Sequence, residues 1–181
     1  MRGRSPQTLS ESDRRLVAGW AADCAQRVLH LFEAEAPADR RPREAIARAR
    51  AFARSELDTA EAIRRRFGGA GTPDVGQAAA AAAKAAGQAS AVAHMGAHAL
   101  GAAAYATRAV MLAAPDDPRT SSDEINWQLA QMSPGIRTAL RQLPPLGESR
   151  SGPLGPGLLA SGPLAGMIRD LQARLAAAER C

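Results

Sequence analysis

Residues 75–114 read VGQAAAAAAKAAGQASAVAHMGAHALGAAAYATRAVMLAA, and the fold class follows from what such a stretch can form. Alanine is the strongest helix former and the smallest apolar side chain that still packs. A strand would instead call for β-branched and aromatic residues, which are sparse here. The run is long for a single globular helix, so it predicts two helices or one bent one, with Gly87 as the expected kink or break. Thr72-Pro73 opens it with a cap and a first-turn proline. The rest of the chain follows the same logic. About a quarter of all residues are alanine and only 3% are aromatic, so helices must approach closely to bury anything. The expectation is all-α: a compact helical bundle of about six to eight helices with an Ala-rich core.

Upstream, Thr8-Leu-Ser-Glu11 reads as a capping box. Val17, Trp20, Cys24, Val28 and Leu31 then recur at spacings of 3, 4, 4 and 3, which puts them on one helix face. Pro37 ends that helix, and Pro42 opens a second that buries Ile46, Ala49 and Phe52 or Ala53. Asp58-Thr-Ala-Glu61 starts a third element, which Gly68-Gly69 stops. Downstream, Pro115 to Pro118 make a turn. Ser121 to Glu124 cap a short helix carrying Ile125, Trp127, Leu129 and Met132, and Ser133-Pro134 start another that ends near Gln142. The organisation reads as a helical domain over 8–142, a linker over 143–163 dense in proline and glycine, and a C-terminal amphipathic helix over 164–181. That last helix, with Leu164, Met167, Ile168, Leu171 and Leu175 on one side, could dock on its own core, pair with a second copy as a homodimer, or stay undocked.

The 181 residues carry a net charge of +5, with Lys84 the only lysine. A basic chain invites a nucleic-acid reading. Against it, the arginines are interleaved with Asp and Glu rather than set in one stripe, and few aromatics are available to stack on bases. Two cysteines do not make a disulfide framework in a chain of this size; Cys24 falls on an apolar helix face and Cys181 is the last residue. The N-terminal residues are followed by no apolar run of the secretory kind, and residues 75–114 carry Lys84, His94, His98 and Arg108, too polar for a membrane span. The expected location is the cytoplasm, with no membrane partner.

Three features could carry chemistry. His94-Met-Gly-Ala-His98 puts two imidazoles at i and i+4, one turn apart on a helix, a spacing at which they can share a metal. Two ligands do not make a site, however, and the blander reading is a hydrogen-bonded pair in an alanine-lined interface. Asp23, Arg27, His30 and Glu33 form a polar stripe on the first helix, either a solvated face or the wall of a pocket opposite the histidines. Asp39-Arg-Arg-Pro-Arg43 packs Arg40, Arg41 and Arg43 around a proline, as an anion clamp or as a brace between the first two helices. Tyr105, two turns past His98, could join the same face. The candidate binding seam is therefore Asp23, Arg27, His30, Arg41, Arg43, His94, His98 and Tyr105. No catalytic residue is assigned, and no cofactor or metal is called for: the sequence holds no P-loop, no dinucleotide fingerprint, no nucleophile elbow and no paired cysteines.

The order of several blocks is informative. Trp20-Ala-Ala-Asp-Cys-Ala25 and Leu31-Phe-Glu33 precede Asp39-Arg-Arg-Pro-Arg-Glu-Ala-Ile-Ala-Arg-Ala-Arg50. Ala85-Ala-Gly-Gln-Ala89 and His94-Met-Gly-Ala-His-Ala-Leu-Gly-Ala-Ala-Ala-Tyr-Ala106 follow. Over roughly residues 9–142 the chain resembles bacterial immunity proteins of the Imm-5-like type, small helical proteins linked by gene context to polymorphic toxins. The resemblance implies a cognate protein toxin as partner, neutralised by non-enzymatic occlusion. It would commonly place a histidine where Gln88 stands, which thins any histidine cluster. Immunity proteins against nuclease toxins tend to be acidic, so the basic charge here disfavours a nuclease target. The alternative is a helical protein, conceivably an enzyme, that handles a small molecule or metal through the seam.

Overall fold

The computed structural model describes residues 5–64 and 73–177, and among them it holds eight α-helices and no strand. In chain order these are α1 (Glu11–Glu35), α2 (Arg41–Ala53), α3 (Thr59–Arg64), α4 (Gln77–Ala91), α5 (His98–Ala113), α6 (Thr120–Ala130), α7 (Pro134–Arg141) and α8 (Gly162–Ala177). Short 3₁₀ turns at Pro6–Thr8 and Leu158–Ala160 complete the regular structure. The all-α bundle expected from composition is what forms. The Gly68-Gly69 stop, the Thr72 cap and Cys181 lie outside the described residues.

Helix α1 is the centre. It packs against α2, α4, α5 and α7, because its apolar positions wrap more than half its circumference: Val17, Trp20, Ala21, Cys24, Ala25, Val28, Leu29 and Phe32 are all buried. Leu31 lies at the edge of that face, only partly buried. The helix starts two residues later than a Thr8 capping box would place it. Ser10 is the N-cap, its hydroxyl accepting the Asp13 N–H at 3.0 Å and donating to Asp13 Oδ2 at 2.7 Å. Thr8 instead closes the preceding 3₁₀ turn, since Pro6 favours that turn and leaves Ser10 as the last extended residue.

The Ala-rich stretch divides into α4 and α5, the most extensively packed helix pair in the molecule. Alanine side chains on both sides make that approach close. The division falls at residues 92–97 and not at Gly87, which sits inside α4 facing open space. Tertiary contact explains the placement. The Gly96 N–H donates to the Thr8 carbonyl at 3.2 Å and the Ala97 N–H to the Gln7 carbonyl at 3.0 Å, so the N-terminal segment takes donors that a continuous helix would use internally. A Cβ on Gly96 would meet Leu9 Cδ1 at 2.5 Å, so only glycine admits that segment. Residues 94 and 98 consequently do not share a helix face: His94 lies in the turn and His98 is the first residue of α5.

Helix α6 begins at Thr120 without a side-chain cap from Ser121 or Ser122, while Asp117 organises the preceding turn by accepting the Arg119 N–H at 3.0 Å. Ser133 caps α7 as its sequence implies. The Pro/Gly-rich stretch from 143 is irregular apart from its 3₁₀ turn, yet it is packed down, with Leu143, Leu146, Leu154 and Leu159 buried. Gln7 ties it to the N-terminal segment: its amide donates to the Ser151 carbonyl at 2.7 Å and its Oε1 accepts the Leu154 N–H at 2.9 Å. Gly152, at φ +81, is required there on two counts, since a Cβ would lie 2.7 Å from Gln7 Oε1. Helix α8 then docks on α5, α6 and α7, burying Leu164, Met167, Ile168, Leu171 and Leu175. Docking on its own core, one of the fates open to it from sequence, is seen within the chain. No described helix is long and apolar enough to cross a membrane.

Candidate functional site

The α1 stripe reaches outward and sideways. Asp23, Arg27 and His30 are exposed and Glu33 is half-buried. Its ion pairs run between helices, not along α1. Asp23 Oδ1 accepts from Arg50 on α2 at 3.0 Å, and Glu33 Oε1 from Arg43, also on α2, at 2.6 Å. Arg27 Nε donates to Glu124 Oε2 on α6 at 2.8 Å, with its guanidinium 4.3 Å from the Trp127 ring centre. Such exposed pairs contribute little energy individually, but here they fix α2 and α6 against the central helix. His30 donates from Nδ1 to the Arg27 carbonyl at 3.1 Å.

Behind Arg27 lies a polar network that sequence reasoning missed. Glu124 and Gln128 are buried. The Gln128 amide donates to Glu124 Oε1 at 3.2 Å, to Thr107 Oγ1 at 3.2 Å and to the Ala103 carbonyl at 3.1 Å. Trp20 Nε1 donates to the Gln128 carbonyl at 2.9 Å. Both Glu124 oxygens are thus engaged, which is what lets a carboxylate sit under a helix. The signal in the sequence is spacing: Glu124, Ile125 and Gln128 fall on one face of α6, although Glu124 also reads as part of a cap. Cys24 is close enough that Glu124 adds to the main effect, burial, in pushing its thiol pKa well up. Cys24 is a core residue, not a nucleophile.

The arginine turn is paired internally through Arg41 and Asp39, and Arg43 reaches across to Glu33 on α1. Arg41 Nε donates to Asp39 Oδ1 at 2.8 Å and to Oδ2 at 3.0 Å. Hydrogen bonding from Arg41, more than simple attraction, holds the Asp39 carboxyl below the usual range. Glu33, Pro37, Asp39, Arg40 and Arg43 line an open hollow of about 430 Å³ beside it.

The histidines lie elsewhere. Gln88, His94, Met95 and His98 form one wall of a cleft of about 420 Å³, and Gly152, Pro153, Gly157, Leu158 and Leu159 form the other. His98 Nδ1 and Gln88 Oε1 are 2.8 Å apart. Tyr105 is buried, its pKa raised by desolvation, with Lys84 Nζ 5.7 Å from its ring centre. The eight seam candidates are therefore not brought together. His94 and His98 line one cavity, Arg43 lines the hollow at the α1–α2 turn, and Asp23, Arg27 and His30 line neither. Among the described residues no three His, Cys, Asp or Glu side chains cluster as metal ligands. The cleft's second wall was invisible in the sequence, because proline- and glycine-rich residues advertise a linker.

Residues 7–134 match the model of the family described as Imm-5 like putative immunity protein. The chain belongs to that family. No curated protein and no solved structure shows significant similarity to it. The match takes in α1 to α6 and ends at the start of α7, so α8 and the outer wall of the histidine cleft lie beyond the shared region of this immunity-family chain.

Proposed function

We propose that this protein neutralises a cognate bacterial toxin by binding it and covering its working surface, without chemical turnover. The observation that carries the proposal is the family match over residues 7–134. The architecture supports it. The exposed stripe of α1 is held by pairs to α2 and α6, so the polar groups a partner would meet are positioned before contact, which lowers the ordering cost of association. Charge complementarity between the chain, at +5, and an acidic partner surface would guide encounter. The cytoplasm is the compartment in which this role would be played.

The test is protection. The gene is co-expressed with each toxin-like gene beside it in the native host, and survival is scored against a vector control. Purified pairs are then examined for a defined-stoichiometry complex by size exclusion with light scattering. Rescue with a complex supports the proposal, and rescue accompanied by covalent or hydrolytic change of the toxin refutes the occlusion mechanism. Failure of every neighbouring toxin to be neutralised refutes the role. The alternative of a small-molecule seam keeps only its histidine end, since its remaining members do not share that cleft.

A further inference from the structure

The charges on the α1 stripe are answered within the chain, whereas two cations on the outer face of α4 and α5 are not. Asp23 pairs with Arg50, Arg27 with Glu124 and Glu33 with Arg43, so that stripe carries little net charge. Residues 75–115, by contrast, contain Lys84 and Arg108 and no Asp or Glu. Neither cation enters an ion pair or donates a hydrogen bond among the described residues. Lys84 is exposed and Arg108 is half-buried.

Both cations are tied to one side chain. Helices α4 and α5 run antiparallel in a register that sets Gln88 against Gly101 and, one turn away, Lys84 over Tyr105. Lys84 Nζ stands 5.7 Å from the ring centre. Arg108 follows Tyr105 by three residues and so shares its face of α5. Its charge acts on the phenol, opposing the rise in pKa that burial causes. Tyr105 is only 4% exposed, and a buried tyrosine normally finds a partner for its hydroxyl. This hydroxyl has none among the described residues, and it is not sealed from solvent as the orphaned Ser90 Oγ is. Gly87, on the turn of α4 next to Lys84, faces open space, so the approach is clear. A phenol donor and two unpaired cations thus sit together, a set suited to a carboxylate.

Two cations are too few for nucleic acid, which is held by a run of phosphate contacts, and the buried Tyr105 ring gives bases no stacking platform. An anionic membrane calls for clusters of about four or more basic groups. An acidic side chain of a protein is the occupant that fits. We propose that Lys84, Tyr105 and Arg108 form the docking surface for an acidic segment of the partner protein, one carboxylate sitting between the cations and accepting from the Tyr105 hydroxyl. Only the identity of that partner rests on the toxin-binding reading.

Tyr105 is the only tyrosine, so the full chain labelled at its tyrosine ring gives a single reporter. It is titrated with a hexaglutamate peptide, with hexaglutamine and a thymidylate oligonucleotide as comparisons. Hexaglutamate should shift the tyrosine signal saturably, and hexaglutamine should not. Lys84→Gln and Arg108→Gln should each weaken that binding by about threefold. Glutamine suits a helix, and circular dichroism checks that the variants fold. A tyrosine signal that ignores hexaglutamate, keeps its affinity in both variants, or answers more tightly to the oligonucleotide overturns the surface. With any toxin that the chain neutralises, Lys84→Glu combined with Arg108→Glu should slow association by about tenfold or more at low salt. An unchanged association rate overturns the surface while neutralisation stands. If no toxin is neutralised, the immunity role fails and the peptide titration still decides the surface.

Discussion

The α4–α5 pair and the α8 docking surface solve the same problem with opposite materials. Helix α4 buries Ala79, Ala81, Ala82, Ala85, Ala86 and Ala89, and α5 buries Ala99, Ala102, Ala103, Ala104, Ala106 and Ala109. Helix α8 buries Leu164, Met167, Ile168, Leu171 and Leu175. A buried methyl contributes about 0.8 kcal/mol and a buried leucine about 1.5–3 kcal/mol. The alanine pair therefore depends on many small contacts and close backbones, and the α8 surface on a few large anchors. One should fail by overfilling and the other by emptying.

The largest expected effect tests the anchors. Leu171→Ala, at a site 2% exposed, should cost about 2–5 kcal/mol in urea unfolding because it leaves a cavity. Leu171→Met should cost under about 1.5 kcal/mol, since volume is conserved. Equal losses in the two variants would mean that shape, not volume, governs the α8 surface. Next comes overfilling: Ala82→Leu, fully buried in α4, should cost about 1–3 kcal/mol although it adds apolar area. A variant as stable as the parent would show that the pair is loosely packed, and the contrast would disappear.

A smaller effect is expected at the polar network that ties α5 and α6 to α1. Arg27→Ala removes a half-exposed partner from the buried Glu124 and should cost about 1 kcal/mol by the same measurement. The smallest effect at neutral pH belongs to Tyr105. Its pKa is raised by burial in the folded chain, so the neutral phenol stabilises the fold fully below its ordinary value of 10.0. That contribution is lost as pH climbs from there through the raised pKa. Tyr105 is the only tyrosine, so phenolate absorbance titrates it alone. The folded protein should titrate above the urea-unfolded chain, and wild type should lose more stability than Tyr105→Phe on moving from neutral to strongly alkaline pH. Coincident titrations in the two states would remove Tyr105 from the alanine core.

What could be read from the sequence was local. Ser133-Pro134, Pro37, Pro42 and Asp58 mark helix ends through contacts within one turn, and their placements hold in the structure. The apolar periodicity of α1 and α8 named their buried faces because a helix repeats every few residues whatever surrounds it. Family membership, too, was legible, since it rests on ordered blocks of residues. The misplacements are of another kind. Gly87 was the better breaker by propensity, but the break went to Gly96, where the Gln7 and Thr8 carbonyls compete for helix donors from far away in the chain. A capping reading of Glu124 hid a buried carboxylate whose partner, Arg27, stands 97 positions earlier.

The candidate site shows the same divide. Alanine content, periodicity and end signals by themselves determined that the chain is helical, roughly how many helices it has, and which faces are apolar, because those properties depend on interactions spanning a few residues. Only the tertiary structure decided that Asp23, Arg27 and Glu33 would pair across helices, that the histidines would leave them, and that residues 152–159 would wall a cleft around His94, Met95 and His98. Those arrangements depend on how close alanine faces let whole helices approach and on which distant groups reach a backbone donor first, and neither is encoded in any short window of the chain.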